Sequence, residues 1–202
     1  MSIARKVRSI ERLFELLDRE ITSFQAETNL HCVSGCGHCC TKPDIDASPL
    51  EFLPFAFHLF LTGQAEITLN RLNQESPAQC MIYVPLLNGD KNQGRCGNYV
   101  YRGLICRLFG YGAGRDKLGK LRLATCKIIK ESQSKNYNSA TEAIEKGLHV
   151  PIFSDYYQKL AQIDFELGNM ILPINKAIQM AIEEVLHHYA YRPLPRGFKG
   201  AA

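Results

Sequence analysis

His31-Cys32-Val33-Ser34-Gly35-Cys36-Gly37-His38-Cys39-Cys40 places four cysteines within nine residues, interleaved with two histidines and two glycines. Four more cysteines follow singly, at Cys80, Cys96, Cys106 and Cys126, and none lies outside residues 32 to 126. Thiolates crowded together repel one another unless a metal or disulfide bonds neutralise them. Gly35 and Gly37 give this loop backbone conformations closed to other residues, which a chain wrapping an ion needs so that its amides can face the sulfurs.

The compartment decides between metal and disulfide. The N-terminus, Met1-Ser2-Ile3-Ala4-Arg5-Lys6-Val7-Arg8, is basic but has no apolar segment behind it, so no secretory signal is expected. The longest apolar run, Phe52 to Leu61, is too short to cross a bilayer and contains His58. A cytoplasmic protein is expected, where thiols stay reduced and eight cysteines point to metal or redox chemistry. The even count leaves a disulfide framework as the alternative, although two adjacent cysteines do not easily bridge each other.

Upstream of the loop, Ile3, Val7, Ile10, Leu13, Phe14, Leu17, Ile21 and Phe24 recur at helical spacing and predict an amphipathic helix over residues 3 to 27. Its charges alternate in sign, which marks a solvated face. Downstream, Ser48-Pro49-Leu50-Glu51 has a capping residue, a first-turn proline and a capping-box glutamate. It predicts a helix to Thr62, kinked by Pro54 and stopped at Gly63. Residues 65 to 73 predict a second short helix. Cys80 to Leu87 reads as a strand, residues 88 to 94 as a turn, and Arg95 to Tyr101 as the returning strand, bringing Cys80 near Cys96. A second hairpin is expected around Lys117-Leu118-Gly119-Lys120. Beyond Lys130 the pattern predicts a helix from Ser139 to Leu148, one from Asp155 to Leu167 ending at Gly168, and one from Pro173 to Ala190. The tail from Arg192 is rich in proline and glycine and is expected to fray.

The 202 residues, 46% hydrophobic and 22% charged, fit one globular domain. The net charge of +4 is too small to argue for nucleic acid. The expected fold is mainly α with a small β-hairpin and loop region, an irregular cysteine-rich metal-binding core packed against helices. It divides into an N-terminal helix (1–30), a cysteine-cluster metal-binding region (31–130) and C-terminal helices (131–202).

All eight cysteines, Cys32, Cys36, Cys39, Cys40, Cys80, Cys96, Cys106 and Cys126, are candidate metal ligands. Thiolates in fours hold zinc or an iron–sulfur cluster. The single knuckle with scattered later cysteines is irregular for a zinc finger, and the adjacent cysteines with C-x₃-C-x₂-C spacing lean towards iron–sulfur. His31 and His38 read as neighbours of the site more than as ligands. Arg102 and Arg107 flank Cys106 and are candidate cofactor-binding residues, able to hydrogen-bond thiolates or hold an anion. Tyr99, Tyr101 and Tyr111 are candidates to wall a pocket or to pack the hairpins.

The order of these residues resembles the CxxxCxxCC cysteine-cluster family, whose members include the YkgJ-like proteins and which is described as a zinc- or iron-chelating domain. The resemblance covers residues 32 to 126: Cys32-x₃-Cys36-x₂-Cys39-Cys40, the isolated Cys80, Cys96 with Tyr99, the Arg102-Gly103-Leu104-Ile105-Cys106-Arg107 stretch, and Cys126. The Ser48-Pro49-Leu50-Glu51 helix start is also similar. Where the family pattern has proline after the first arginine, this chain has Gly103. The resemblance implies a metal-binding protein holding an iron–sulfur cluster or zinc. It leaves two alternatives: an enzyme using that centre with S-adenosylmethionine, as in the flagellin lysine methylases that carry a similar motif, or a structural zinc module that presents helices to a protein partner. No nucleic-acid or membrane partner is expected.

Overall fold

The apolar stripe of the N-terminal segment builds α1 (Ile3–Thr28), with Ile10 and Leu17 wholly removed from solvent. Asn29 ends it in the left-handed conformation, its amide donating to Gln25 O. This is a computed structural model, and it describes residues 1–33, 35–74, 79–86 and 94–194. The expected turn over residues 88 to 93 and the end of the tail from residue 195 lie outside the described residues.

The Ser48 start forms as expected but divides. Glu51 Oε1 accepts from the Ser48 amide and hydroxyl, completing the capping box of a 3-10 turn, Pro49–Phe52. The α-helix proper, α2 (Leu53–Leu61), begins only then, with Pro54 in its first turn instead of at an interior kink. Proline in the first turn lacks only an amide that has no intrahelical partner there. Gly63, at φ +70°, follows as the stop. α3 (Ala65–Gln74) comes next.

The expected long strands are short. β1 (Asp46–Ala47) pairs antiparallel with β6 (Leu172–Pro173), a pairing the sequence did not announce. β2 (Tyr83–Pro85) and β3 (Gly94–Cys96) form the first hairpin, and β4 (Ala113–Arg115) and β5 (Leu121–Leu123) form the expected second one. Cys80 lies before β2 in a turn, so Cys96 stands opposite Tyr83 and not opposite Cys80. The return strand ends at Cys96, and Tyr99–Tyr101 is a 3-10 turn. Two helices near the cysteines were not expected: α4 (Leu104–Leu108) and α5 (Lys127–Ser132), the latter capped by Cys126.

In the C-terminal part, α6 (Ser134–Glu145) starts before Ser139, which lies inside it and does not cap it. The expected helix from Asp155 to Leu167 is two, α7 (Phe153–Ala161) and α8 (Phe165–Asn169). Asp164 accepts from the Leu167 amide and starts α8, so the chain stops and restarts there. Gly168 sits within α8, where a Cβ would meet the Ala161 backbone at 2.8 Å. α9 (Ile174–Tyr189) is the central helix: Ala177, Ile178, Ala181, Ile182 and Val185 are all 0% exposed. It packs on α2, α3 and the Pro49–Phe52 turn, and α1 packs on α2. The chain is mainly helical with three small two-stranded sheets among the described residues. No described helix is long and apolar enough to cross a membrane.

Candidate metal centre

The cysteine loop is pressed against the first hairpin. Gly35 and Gly37 have φ of +70° and +57°, the left-handed region where glycine is unstrained. A Cβ on Gly37 would stand 2.7 Å from the Tyr83 ring and 2.8 Å from the Gly94 backbone. The Gly94 amide donates to Gly35 O at 3.2 Å, and the Cys80 amide donates to Cys40 O at 3.0 Å. Cys39 and Cys40 lie in a 3-10 turn, His38–Thr41.

Two carboxamides from distant helices fasten the cysteine-bearing segments. Gln133, at the end of α5, accepts from the His31 amide at 3.0 Å and donates to the His31 carbonyl at 2.6 Å. Asn175, in the first turn of α9, accepts from the Met81 amide and donates to the Gln79 carbonyl, both at 2.8 Å, so it brackets Cys80. Tyr111 accepts from the Cys32 amide at 2.7 Å. Neither carboxamide was expected from sequence.

All eight cysteines are free thiols, none in a disulfide; Cys32 and Cys39 are exposed and the rest half-buried. Their mutual influence shows which are neighbours. Burial pushes the Cys32 thiol up to about 11, with Cys39, Cys36 and Cys126 adding to the rise and Arg102 opposing it. Burial also pushes Cys80 up to about 11, with Cys96 and Cys39 raising it further. Cys106 is raised by burial and by Cys80, Glu51, Cys39 and Cys96. The Cys40 thiol donates to the Cys39 sulfur and holds Cys39 down at about 6, against burial and with help from the amides of Cys39 and Cys40 and from Arg102. The same bond, with burial and the sulfurs of Cys39, Cys80 and Cys106, pushes Cys40 up.

Main-chain amides face several of the sulfurs. Ile129 N donates to Cys126 Sγ at 3.4 Å. The amides of Ile82 and Tyr83 face Cys80, and that of Asn98 faces Cys96, in each case favouring the thiolate. Amide donors stabilise the charged form of an acceptor.

The two arginines part company. Arg107 is buried and spoken for: it forms an ion pair with Asp18 of α1, donates to Val100 O and Arg102 O, and lies over the Phe14 ring. Its contacts are those of a brace between α4 and α1. Arg102 stacks on Tyr99 at 3.6 Å, and its buried Nε has no hydrogen-bond partner among the described residues. Its charge acts on Cys32, Cys39 and Cys96. Tyr101 stacks on His58 and packs on Phe55, away from any ligand role. Gly103 is crowded, since a Cβ there would lie 2.8 Å from Phe52 Cζ and 3.0 Å from Glu51 Oε2. Glu51 Oε2 also accepts from the Ile105 amide at 2.8 Å, tying α4 to the Ser48 turn.

Among the described residues, no group of three or more His, Cys, Asp or Glu side chains is arranged to hold a metal ion. The donor chemistry nonetheless fits a thiophilic metal: free thiols as mutual neighbours, amides facing sulfur, and an arginine with an unemployed donor. No protein-family model, no curated protein and no solved structure matches the chain.

Proposed function

We propose that this protein binds metal through its cysteine cluster, as an iron–sulfur cluster or as zinc. The observation that carries the reading is the set of backbone amides facing Cys39, Cys80, Cys96 and Cys126. Amide donors favour the thiolate, the form in which a cysteine binds metal. All eight cysteines would serve as ligands, with Arg102 offsetting thiolate charge; this agrees with the resemblance to the CxxxCxxCC family. When bound, the metal supplies either electron transfer or a rigid crosslink of residues 32 to 126.

One feature favours a second reading, an enzyme working at this centre. A cavity of about 210 Å³ is lined by Arg71, Leu72, Gln79, Cys80, Met81, Tyr83 and Pro85. It is smaller than the roughly 300–1,000 Å³ that encloses a drug-sized ligand. It opens to solvent and would admit a small molecule beside Cys80.

The test is anaerobic purification of the full chain, with a visible spectrum and iron, sulfide and zinc analysis on one sample. Brown protein with iron and sulfide supports the cluster. Colourless protein with stoichiometric zinc supports zinc. Absence of both metals, with the cysteines oxidised in pairs, overturns the proposal.

A further inference from the structure

The positive charge of the chain is concentrated on one short hairpin. Arg115-Asp116-Lys117-Leu118-Gly119-Lys120-Leu121-Arg122 carries four cations against one carboxylate, a net +3, where all 202 residues together carry +4. All four cations are exposed. Arg122 pairs with Asp116 at 3.1 Å, whereas Lys117 and Lys120 have no ion-pair partner among the described residues. The neighbouring α5 adds Lys127 and Lys130, but Lys127 pairs with Glu131 and Lys130 lies over the Tyr137 ring. The unspent charge is therefore at the tip of the second hairpin.

That tip is braced and bare. Ala113 and Leu123, opposite each other at its base, are buried where the hairpin packs on α6 and α7. Asp116 Oδ1 accepts from the amides of Leu118 and Lys120, both at 2.9 Å, and the Gly119 amide donates to Asp116 O at 2.9 Å. Arg115 Nη1 donates to Gly119 O at 3.3 Å. A Cβ on Gly114 or Gly119 would meet nothing within 4 Å, so no other part of the described chain covers this end. Held in that frame, Leu118 is 83% exposed. A turn built only to reverse the chain favours polar residues and glycine at its apex. A braced loop also loses little conformational freedom when it docks.

We propose that the tip of the β4–β5 hairpin is a docking site for an acidic segment of a partner protein. Lys117, Lys120 and Arg115 meet its carboxylates, and Leu118 makes an apolar contact between them. The chemistry of the tip selects this occupant over other anions. Residues 113 to 123 contain no aromatic side chain on which a base could stack. The Asp116 carboxylate sits among the cations, where it repels a phosphate backbone. A single leucine buries little in a bilayer, whereas one apolar anchor ringed by charge suits a protein surface. The inference stands apart from the metal-binding reading.

The test uses the full chain and fluorescence anisotropy. The probes are a short labelled peptide of glutamate with interspersed leucine, the same peptide with serine for leucine, and a single-stranded RNA oligonucleotide of equal charge. Co-sedimentation with phosphatidylserine–phosphatidylcholine vesicles is measured beside them. The Glu–Leu peptide is expected to bind more tightly than the other probes, and to weaken as added salt shortens the Debye length. Lys117→Glu/Lys120→Glu should weaken it about tenfold, through two lost pairs and two new repulsions. Leu118→Ser should erase the preference for the leucine peptide over the serine one. Lys146→Glu/Lys176→Glu makes the same change of net charge at other exposed positions and should leave binding unaltered. Circular dichroism confirms that each variant is folded. Failure to bind the Glu–Leu peptide, a preference for leucine that survives Leu118→Ser, or an equal loss in the Lys146/Lys176 control overturns the proposal. Equal or tighter binding of RNA or vesicles overturns it too, and assigns the tip to nucleic acid or to anionic lipid instead.

Discussion

In α9, five apolar side chains are fully removed from water, whereas none of the eight cysteines is buried and two are exposed. The helical body of α1, α2 and α9 is ordered by apolar burial, at roughly 1.5–3 kcal/mol for each large side chain. The four-cysteine loop and the first hairpin have little of this: the His38–Thr41 turn buries no residue and β2 none. They are held by single backbone hydrogen bonds such as Cys80 to Cys40, and by the carboxamides of Gln133 and Asn175. The difference teaches where each part draws its stability. The body rests on apolar burial and the cysteine loop on single hydrogen bonds; on the proposed function, a bound metal would supply the crosslink that apolar packing does not.

The sharpest way to break this contrast is to remove the metal. Structural zinc contributes about 10–16 kcal/mol in small metal-dependent domains. Chelation should therefore abolish amide-exchange protection in the loop around Cys32 to Cys40 and in the first hairpin, which carries Cys96, while α1, α2 and α9 keep theirs. Equal loss in both regions would show that the body is not independent.

The converse perturbation is Leu53→Ala, a 0% exposed residue of α2. It should lower denaturant stability by about 2–5 kcal/mol and leave zinc affinity unchanged. A change in affinity would mean that the two regions share one cooperative unit.

Glu51 is the joint between them. It is 1% exposed and accepts from Ser48 on one oxygen and from the Ile105 amide on the other. Glu51→Gln replaces one acceptor by a donor and leaves a buried amide unpaired. The expected loss is about 1–3 kcal/mol, seen as a lower melting temperature, with looser exchange in α4 than in α9.

The smallest effect belongs to the body alone. Burial pushes the Asp164 carboxyl up, but Lys6 and the amides of Leu167 and Glu166 together hold it below its ordinary 3.8. Its contribution is therefore complete above the unfolded value and is lost as pH falls through the lower folded one. Asp164→Ala should cost about 1 kcal/mol at neutral pH as a lost cap. The gap between variant and wild type should close below pH 3.8, and metal affinity should not move.

These contrasts also explain what could be read from the chain. α1 and α9 were legible because their apolar periodicity is long and uninterrupted. The Ser48-to-Glu51 cap was legible as a local signature, but the reach of Glu51 to Ile105 was not, because nothing at residue 51 marks a partner 54 residues away. The helix expected across Asp164 divided because an aspartate that accepts from its own downstream amide starts a helix afresh. The cysteines announced themselves as candidate ligands by crowding. How their segments are fastened did not show, since it depends on Gln133 and Asn175, two ordinary amide residues whose partners lie about a hundred positions away.

The fastening of His31 by Gln133 has a consequence for synthesis. The four-cysteine loop leaves the ribosome long before its partner, which lies 102 residues further on. At about 5–20 residues per second, the nascent chain carries four unclosed thiols for roughly 5–20 s before residue 133 arrives. During that interval the loop meets whatever oxidant or metal is at hand. What first reaches these thiols is thus set by a race between chain elongation and capture.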